Sequence, residues 1–238
     1  MKIRTPLAIA AVVASVTLAL AGCAGVEPVG DPIPTPDATQ TPAQPSTDPS
    51  AAWLDGGHAV GLVTWGSSSL ACVPKAVDVT GDGQTVQVTL AEPDKNAVCT
   101  ADFAPRATYV EMPAGVDPTK DVTVSFQGGE FAGRVPLTGL ADKSTGGPRE
   151  MKPSAGWFDP SGIVLLTWGS STCPPVVGGF DETDGGATVT FSDDMTGPCT
   201  MDMAPRLTIL GTTTPHTGGE FTLTLTGGHL DGKVTVLG

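Results

Sequence analysis

The sequence predicts an all-β protein in which one small domain occurs twice, and three observations lead there. Glycine and proline fill 53 of 238 positions, which disfavours long helices. Short runs alternate β-branched and polar residues, as in Thr85-Val86-Gln87-Val88-Thr89-Leu90, Val122-Thr123-Val124-Ser125-Phe126 and Phe221-Thr222-Leu223-Thr224-Leu225. A strand with one buried face reads this way. Finally, a long pattern recurs at an offset of 99 to 104 residues.

The recurrence is specific. Trp53-Leu54-Asp55 returns as Trp157-Phe158-Asp159, and Val63-Thr64-Trp65-Gly66-Ser67-Ser68 as Leu166-Thr167-Trp168-Gly169-Ser170-Ser171. Cys72-Val73-Pro74 matches Cys173-Pro174-Pro175, and Cys99-Thr100-Ala101-Asp102-Phe103-Ala104-Pro105-Arg106 matches Cys199-Thr200-Met201-Asp202-Met203-Ala204-Pro205-Arg206. Gly128-Gly129-Glu130-Phe131 lines up with Gly227-Gly228-His229-Leu230. A drifting offset marks short insertions between shared elements. The expected units are β-sandwich repeats, immunoglobulin-like in size and strand density, over residues 52–140 and 153–238, with 141–152 as linker.

Within each unit, Gly81-Asp82-Gly83 and Asp184-Gly185-Gly186 fall between two strand-like runs, where a hairpin needs positive φ. The strand ending at Trp65 is apolar on both faces, with Val60 and Leu62 on one side and Val63 and Trp65 on the other. Such a strand belongs at the centre of its sheet.

Upstream, residues 1–22 place Lys2 and Arg4 before an apolar run from Leu7 to Ala21. This is a secretory signal layout, too short for a spanning helix of about 20 residues. Leu20-Ala21-Gly22-Cys23 resembles the lipobox of bacterial lipoproteins. That resemblance implies cleavage before Cys23, acylation of its thiol (palmitate among the acyl chains), and anchoring at the extracytoplasmic face of the cell membrane. The segment 23–51 then reads as a disordered Pro-rich tether. Between Ala24 and Ala51 it has seven prolines, four acids and no Trp, Phe, Tyr or Leu, so it buries too little apolar surface to offset ordering. Extended at about 3.1 Å per residue, it reaches on the order of 80 Å.

Exported cysteines meet an oxidising compartment. The four beyond Cys23 allow three connectivities. Pairing Cys72 with Cys99 and Cys173 with Cys199 makes each copy self-sufficient, which duplication of an independently folding unit requires. No Cys-x-x-Cys occurs and His58, His216 and His229 are scattered, so no metal and no cofactor is expected.

The chain carries 12 Lys plus Arg against 25 Asp plus Glu, a formal net charge of -13. Loss of Lys2 and Arg4 with the leader leaves 10 bases against 25 acids and a net charge of -15. A chain this acidic is a poor partner for phosphate backbones, so nucleic acid is excluded as a ligand class.

The candidate binding residues are Trp53 and Trp157, read as surface aromatics at the domain edge, and the repeated pairs Asp102 with Arg106 and Asp202 with Arg206. Each acid and base could meet across the Ala-Pro turn as an ion pair, or the arginine could capture an anionic ligand. Trp65 and Trp168 are expected in the core. Ser67 and Ser170 invite a nucleophile reading, but no Gly-x-Ser-x-Gly elbow or Ser-x-x-Lys is present and the second copy lacks a counterpart to His58. No catalytic residue is therefore assigned.

The pattern Thr-Trp-Gly-Ser-Ser-x-Cys-x-Pro followed by Cys-Thr-x-Asp-x-Ala-Pro-Arg resembles a duplicated domain of uncharacterised actinobacterial lipoproteins, over about 175 residues in both copies. The expected protein is a monomeric, lipid-anchored cell-surface protein that binds an unknown surface or envelope ligand or serves envelope architecture. A serine-dependent hydrolase and an extracellular protease inhibitor are the alternatives.

Overall fold

The computed structural model describes residues 47–141, 150–193 and 197–238. The leader, the Cys23 lipidation position, nearly all of the tether and most of the expected linker lie outside the described residues. β1 opens at Ser50, so the last two positions assigned to the tether by composition are already strand.

Fourteen strands follow one another with no α-helix among the described residues. The first copy contributes β1 (Ser50–Leu54), β2 (Ala59–Gly66), β3 (Lys75–Asp82), β4 (Thr85–Ala91), β5 (Ala104–Glu111), β6 (Val122–Gly128) and β7 (Phe131–Leu137). The second repeats the order as β8 (Ser154–Asp159), β9 (Gly162–Gly169), β10 (Val177–Thr183), β11 (Gly186–Phe191), β12 (Ala204–Gly211), β13 (Thr222–Thr226) and β14 (Gly232–Leu237). The hairpins β3–β4 and β10–β11 turn at Gly83 (φ 59°) and Gly185 (φ 72°), a left-handed conformation that glycine adopts without a Cβ penalty.

In the first copy, sheets β1-β2-β5 and β3-β4-β6-β7 enclose a core of Trp53, Val60, Leu62, Val86, Val88, Val110, Val124 and Phe126. β2 is central, paired with β1 at Trp53↔Val60 and with β5 at Val60↔Val110. In the second copy all seven strands join one hydrogen-bonded sheet, because β14 pairs in parallel with β8 at Val236↔Ala155. The pairings β4–β6 and β11–β13 are also parallel. This departs from the immunoglobulin pattern, whose two sheets are antiparallel. Alternation along a strand specifies which face is buried but says nothing about the direction of the neighbour.

A third apolar layer lies between the copies. Ala52, Leu54, Ala59 and Val63 of the first pack against Val164 and Leu166 of the second, all fully buried. A Cβ on Gly61 would stand 2.9 Å from Val164 Cγ1, and one on Gly156 only 2.1 Å from the Trp53 carbonyl oxygen. The Asp55 N–H donates to Ser154 Oγ at 2.8 Å. From β1 into the turn that follows it the contact positions rise from 53 to 55 while along β8 they fall from 156 to 154, so the two strands run in opposite directions. Trp168, near the end of β9, meets Tyr109, near the far end of β5, edge to face at 5.9 Å. The copies are therefore packed head to tail, and equivalent loops point to opposite ends of the molecule.

Candidate functional site

Each copy carries one disulfide where β2 or β9 delivers its Trp-Gly-Ser-Ser segment to the loop before β5 or β12. Cys72 is bonded to Cys99 and Cys173 to Cys199, with Cα separations of 5.7 and 5.5 Å. The half-cystines next to the strands, Cys72 and Cys173, are buried. Cys99 and Cys199 are exposed, so each bridge ties an outer loop to the sheet edge.

The conserved spacing within the repeat has a geometric cause. Arg106 comes off β5 and donates from Nη1 to the carbonyl oxygens of Cys72 at 2.8 Å and Ser67 at 3.3 Å. Arg206 comes off β12 and donates to Cys173 O and Trp168 O, both at 2.9 Å. The guanidinium lies flat on a glycine. A Cβ on Gly66 would be 2.6 Å from Arg106 Cζ, and one on Gly169 2.8 Å from Arg206 Cζ. Burial lowers the pKa of both arginines, as desolvation of a cation does.

The expected ion pairs do not form. Asp102 accepts instead from the Ser68 N–H at 3.2 Å and from the Thr100 hydroxyl. Asp202 accepts from the Ser171 N–H at 3.1 Å and from the Thr200 hydroxyl. Each carboxylate thus closes the serine loop from outside while each arginine ties its carbonyls from inside. Hydroxyls set the acidity. Ser68 and then Thr100 hold Asp102 at about 2, and Thr200 and then Ser171 hold Asp202 at about 2, from an ordinary 3.8. A carboxyl with a depressed folded pKa stabilises its loop above the unfolded value and loses that contribution as pH falls through the folded one. Carboxyl-carbon NMR should therefore show both groups still ionised at pH 3, with the serine-loop amides shifting only as pH approaches 2. Titration of both near 3.8 would contradict these contacts.

Only one of the four tryptophans is fully buried, and it is one expected at the surface, whereas Trp168, expected in the core, is half-buried against the layer between the copies. Trp53 is 3% exposed and donates from Nε1 to Thr138 O at 2.8 Å, closing β1 against the end of β7. Trp157 is half-buried, stacked on His216 at 4.5 Å with Phe221 edge-on at 5.1 Å. Trp65, expected in the core, is half-buried and stacks at 5.8 Å on Phe103, which is 66% exposed. The reason is strand parity. Trp65 shares its face with Val63, which looks toward the other copy, and lies beyond the end of the layer that covers Val63.

Exposed apolar side chains gather on the disulfide loops of both copies, Leu70, Val98 and Phe103 in the first and Val176, Met201 and Met203 in the second. The serines are bound within the same loops. Ser67 Oγ shares a hydrogen bond with Thr100 Oγ1 at 2.8 Å and Ser170 Oγ with Thr200 Oγ1 at 2.9 Å.

The copies differ in one respect that composition did not flag. In the first, the Phe131 ring lies over Arg106, 5.2 Å from Cζ to its centroid. The matching residue in the second is Leu230, and beside Arg206 there is an open cleft of about 250 Å³, lined also by Thr172, Pro174, Pro175, Val176 and His229. Aligning Gly-Gly-Glu-Phe with Gly-Gly-His-Leu contained this signal.

No family model, curated protein or solved structure matches the chain.

Proposed function

We propose that this is a lipid-anchored protein of the extracytoplasmic membrane face, built from two small β-sandwich units, whose role is binding or envelope architecture. The resemblance to actinobacterial lipoproteins and the Leu-Ala-Gly-Cys sequence support the anchor. The observation that carries the binding role is the pair of disulfide loops, each presenting exposed apolar side chains on a braced base, at opposite ends of the molecule. Two equivalent ends facing apart cannot both settle on one flat surface. They suit bridging between two partners better than avidity toward one. A hydrolase would need a base for Ser67 or Ser170, and the partners those hydroxyls have are threonine hydroxyls and the backbone N–H groups of Ser69 and Thr172.

The test of the anchor is Cys23→Ala in the full-length protein expressed in a bacterium with a lipoprotein pathway. The parent should partition into detergent-phase membrane fractions, and the variant should be released to the aqueous phase. A variant that stays in the membrane fraction would overturn the lipid anchor. For the binding role, crosslinking on intact cells should capture partners through each loop separately.

A further inference from the structure

We propose that the cleft beside Arg206 receives an aromatic side chain of a partner polypeptide, seated over the guanidinium as Phe131 is seated over Arg106. The inference deepens the binding role proposed above by naming the chemistry one end recognises. It rests on an internal comparison. Both arginines have the same anchors, a half-cystine carbonyl and a serine-loop or tryptophan carbonyl, and both lie against the glycine of the Trp-Gly segment. In the first copy the remaining approach to the cation is taken by the chain's own Phe131, and Arg106 is 8% exposed. In the second, the matching residue is Leu230, which packs against its core as Phe131 does against the first but brings no ring to the cation, and Arg206 remains half-buried in the cleft wall.

An aromatic face suits this position for three reasons. A cation held by neutral carbonyls, with no carboxylate partner among the described residues, keeps its attraction for a ring quadrupole. Pro174, Pro175 and Val176 supply apolar walls for the ring edge. Asp193, also in the wall and accepting from the Gly228 N–H at 2.7 Å, repels a carboxylate that would otherwise compete for the arginine. The polypeptide source follows from the surroundings. Met201 and Met203 are exposed and follow Cys199, which is bonded to the cleft residue Cys173, giving flanking residues of a peptide something to cover.

The experiment uses the purified protein and amide NMR with blocked Gly-Phe-Gly and Gly-Leu-Gly peptides and free p-cresol. The Phe peptide should shift Thr172, Val176, Arg206 and Gly228, with the Leu peptide about fivefold to tenfold weaker. Leu230→Phe should fill the cleft and abolish these shifts. Phe131→Leu should open the matching position and add a second set around Arg106. The two variants change in opposite directions, so loss of fold in one does not excuse the other. Equal binding of the Phe and Leu peptides, shifts elsewhere on the surface, or a Leu230→Phe protein that binds like the parent would overturn the site. p-Cresol binding as tightly as the Phe peptide would overturn the polypeptide source. None of these readouts depends on Cys23, so failure here and failure of the anchor are distinguishable.

Discussion

Leu166→Ala should destabilise both copies at once, by about 2 to 5 kcal/mol, in a single unfolding transition. Leu166 is fully buried, yet it belongs to neither of the two enclosed cores. It projects from β9 into the layer formed with Ala52, Leu54 and Val63 of the first copy. Removing its branched end leaves a cavity whose walls come from both copies, and the close approach at Gly61 and Gly156 leaves the backbones little room to collapse into it. Hydrogen exchange reads the outcome. Protection should fall together at Leu62 in β2 and Leu165 in β9, which belong to different cores. Loss confined to the second copy would mean that the layer between the copies contributes little.

Replacing Cys173 and Cys199 together by serine should cost about 3 to 4 kcal/mol, the chain-entropy value for a loop closed across 26 residues. For a domain of ordinary stability this is a large share of the total. The loop keeps other ties, since Arg206 still holds the backbone carbonyl of residue 173 and Asp202 still accepts from Ser171. The folded variant should therefore retain its strands while its midpoint in urea falls. The same pair of changes at Cys72 and Cys99, which span 27 residues, should cost a similar amount. A loss below about 1 kcal/mol in either copy would show that the hydrogen bonds, rather than the bridge, fix the loop.

Much of the architecture was legible from the chain. The duplication, the strand content, the glycine turns at Gly83 and Gly185 and the central position of β2 all follow from local pattern, and the two disulfides fall where duplication places them. The site was legible only as a set of residues. Asp102 and Arg106 were rightly grouped with the cysteine loop, but as a pair with each other. Apart from the neighbouring Thr100 hydroxyl, the partners they have are backbone groups of residues 67, 68 and 72, more than thirty residues upstream, and backbone donors and acceptors have no sequence signature. Trp53 was misplaced for a related reason, since its indole is satisfied by the carbonyl of Thr138, just after β7, whose position sequence cannot fix.

The sequence by itself therefore determined which strand residues share a face and where the chain turns, because alternation and glycine conformation are properties of neighbours along the chain. Only the tertiary structure decided what the second apolar face of β2 and β9 is for. That face is covered by the other copy, head to tail, and burying it sends the two disulfide loops to opposite ends. It also decided that identical arginines differ in access, because a single change from Phe131 to Leu230 matters only where the hairpin folds back over the guanidinium.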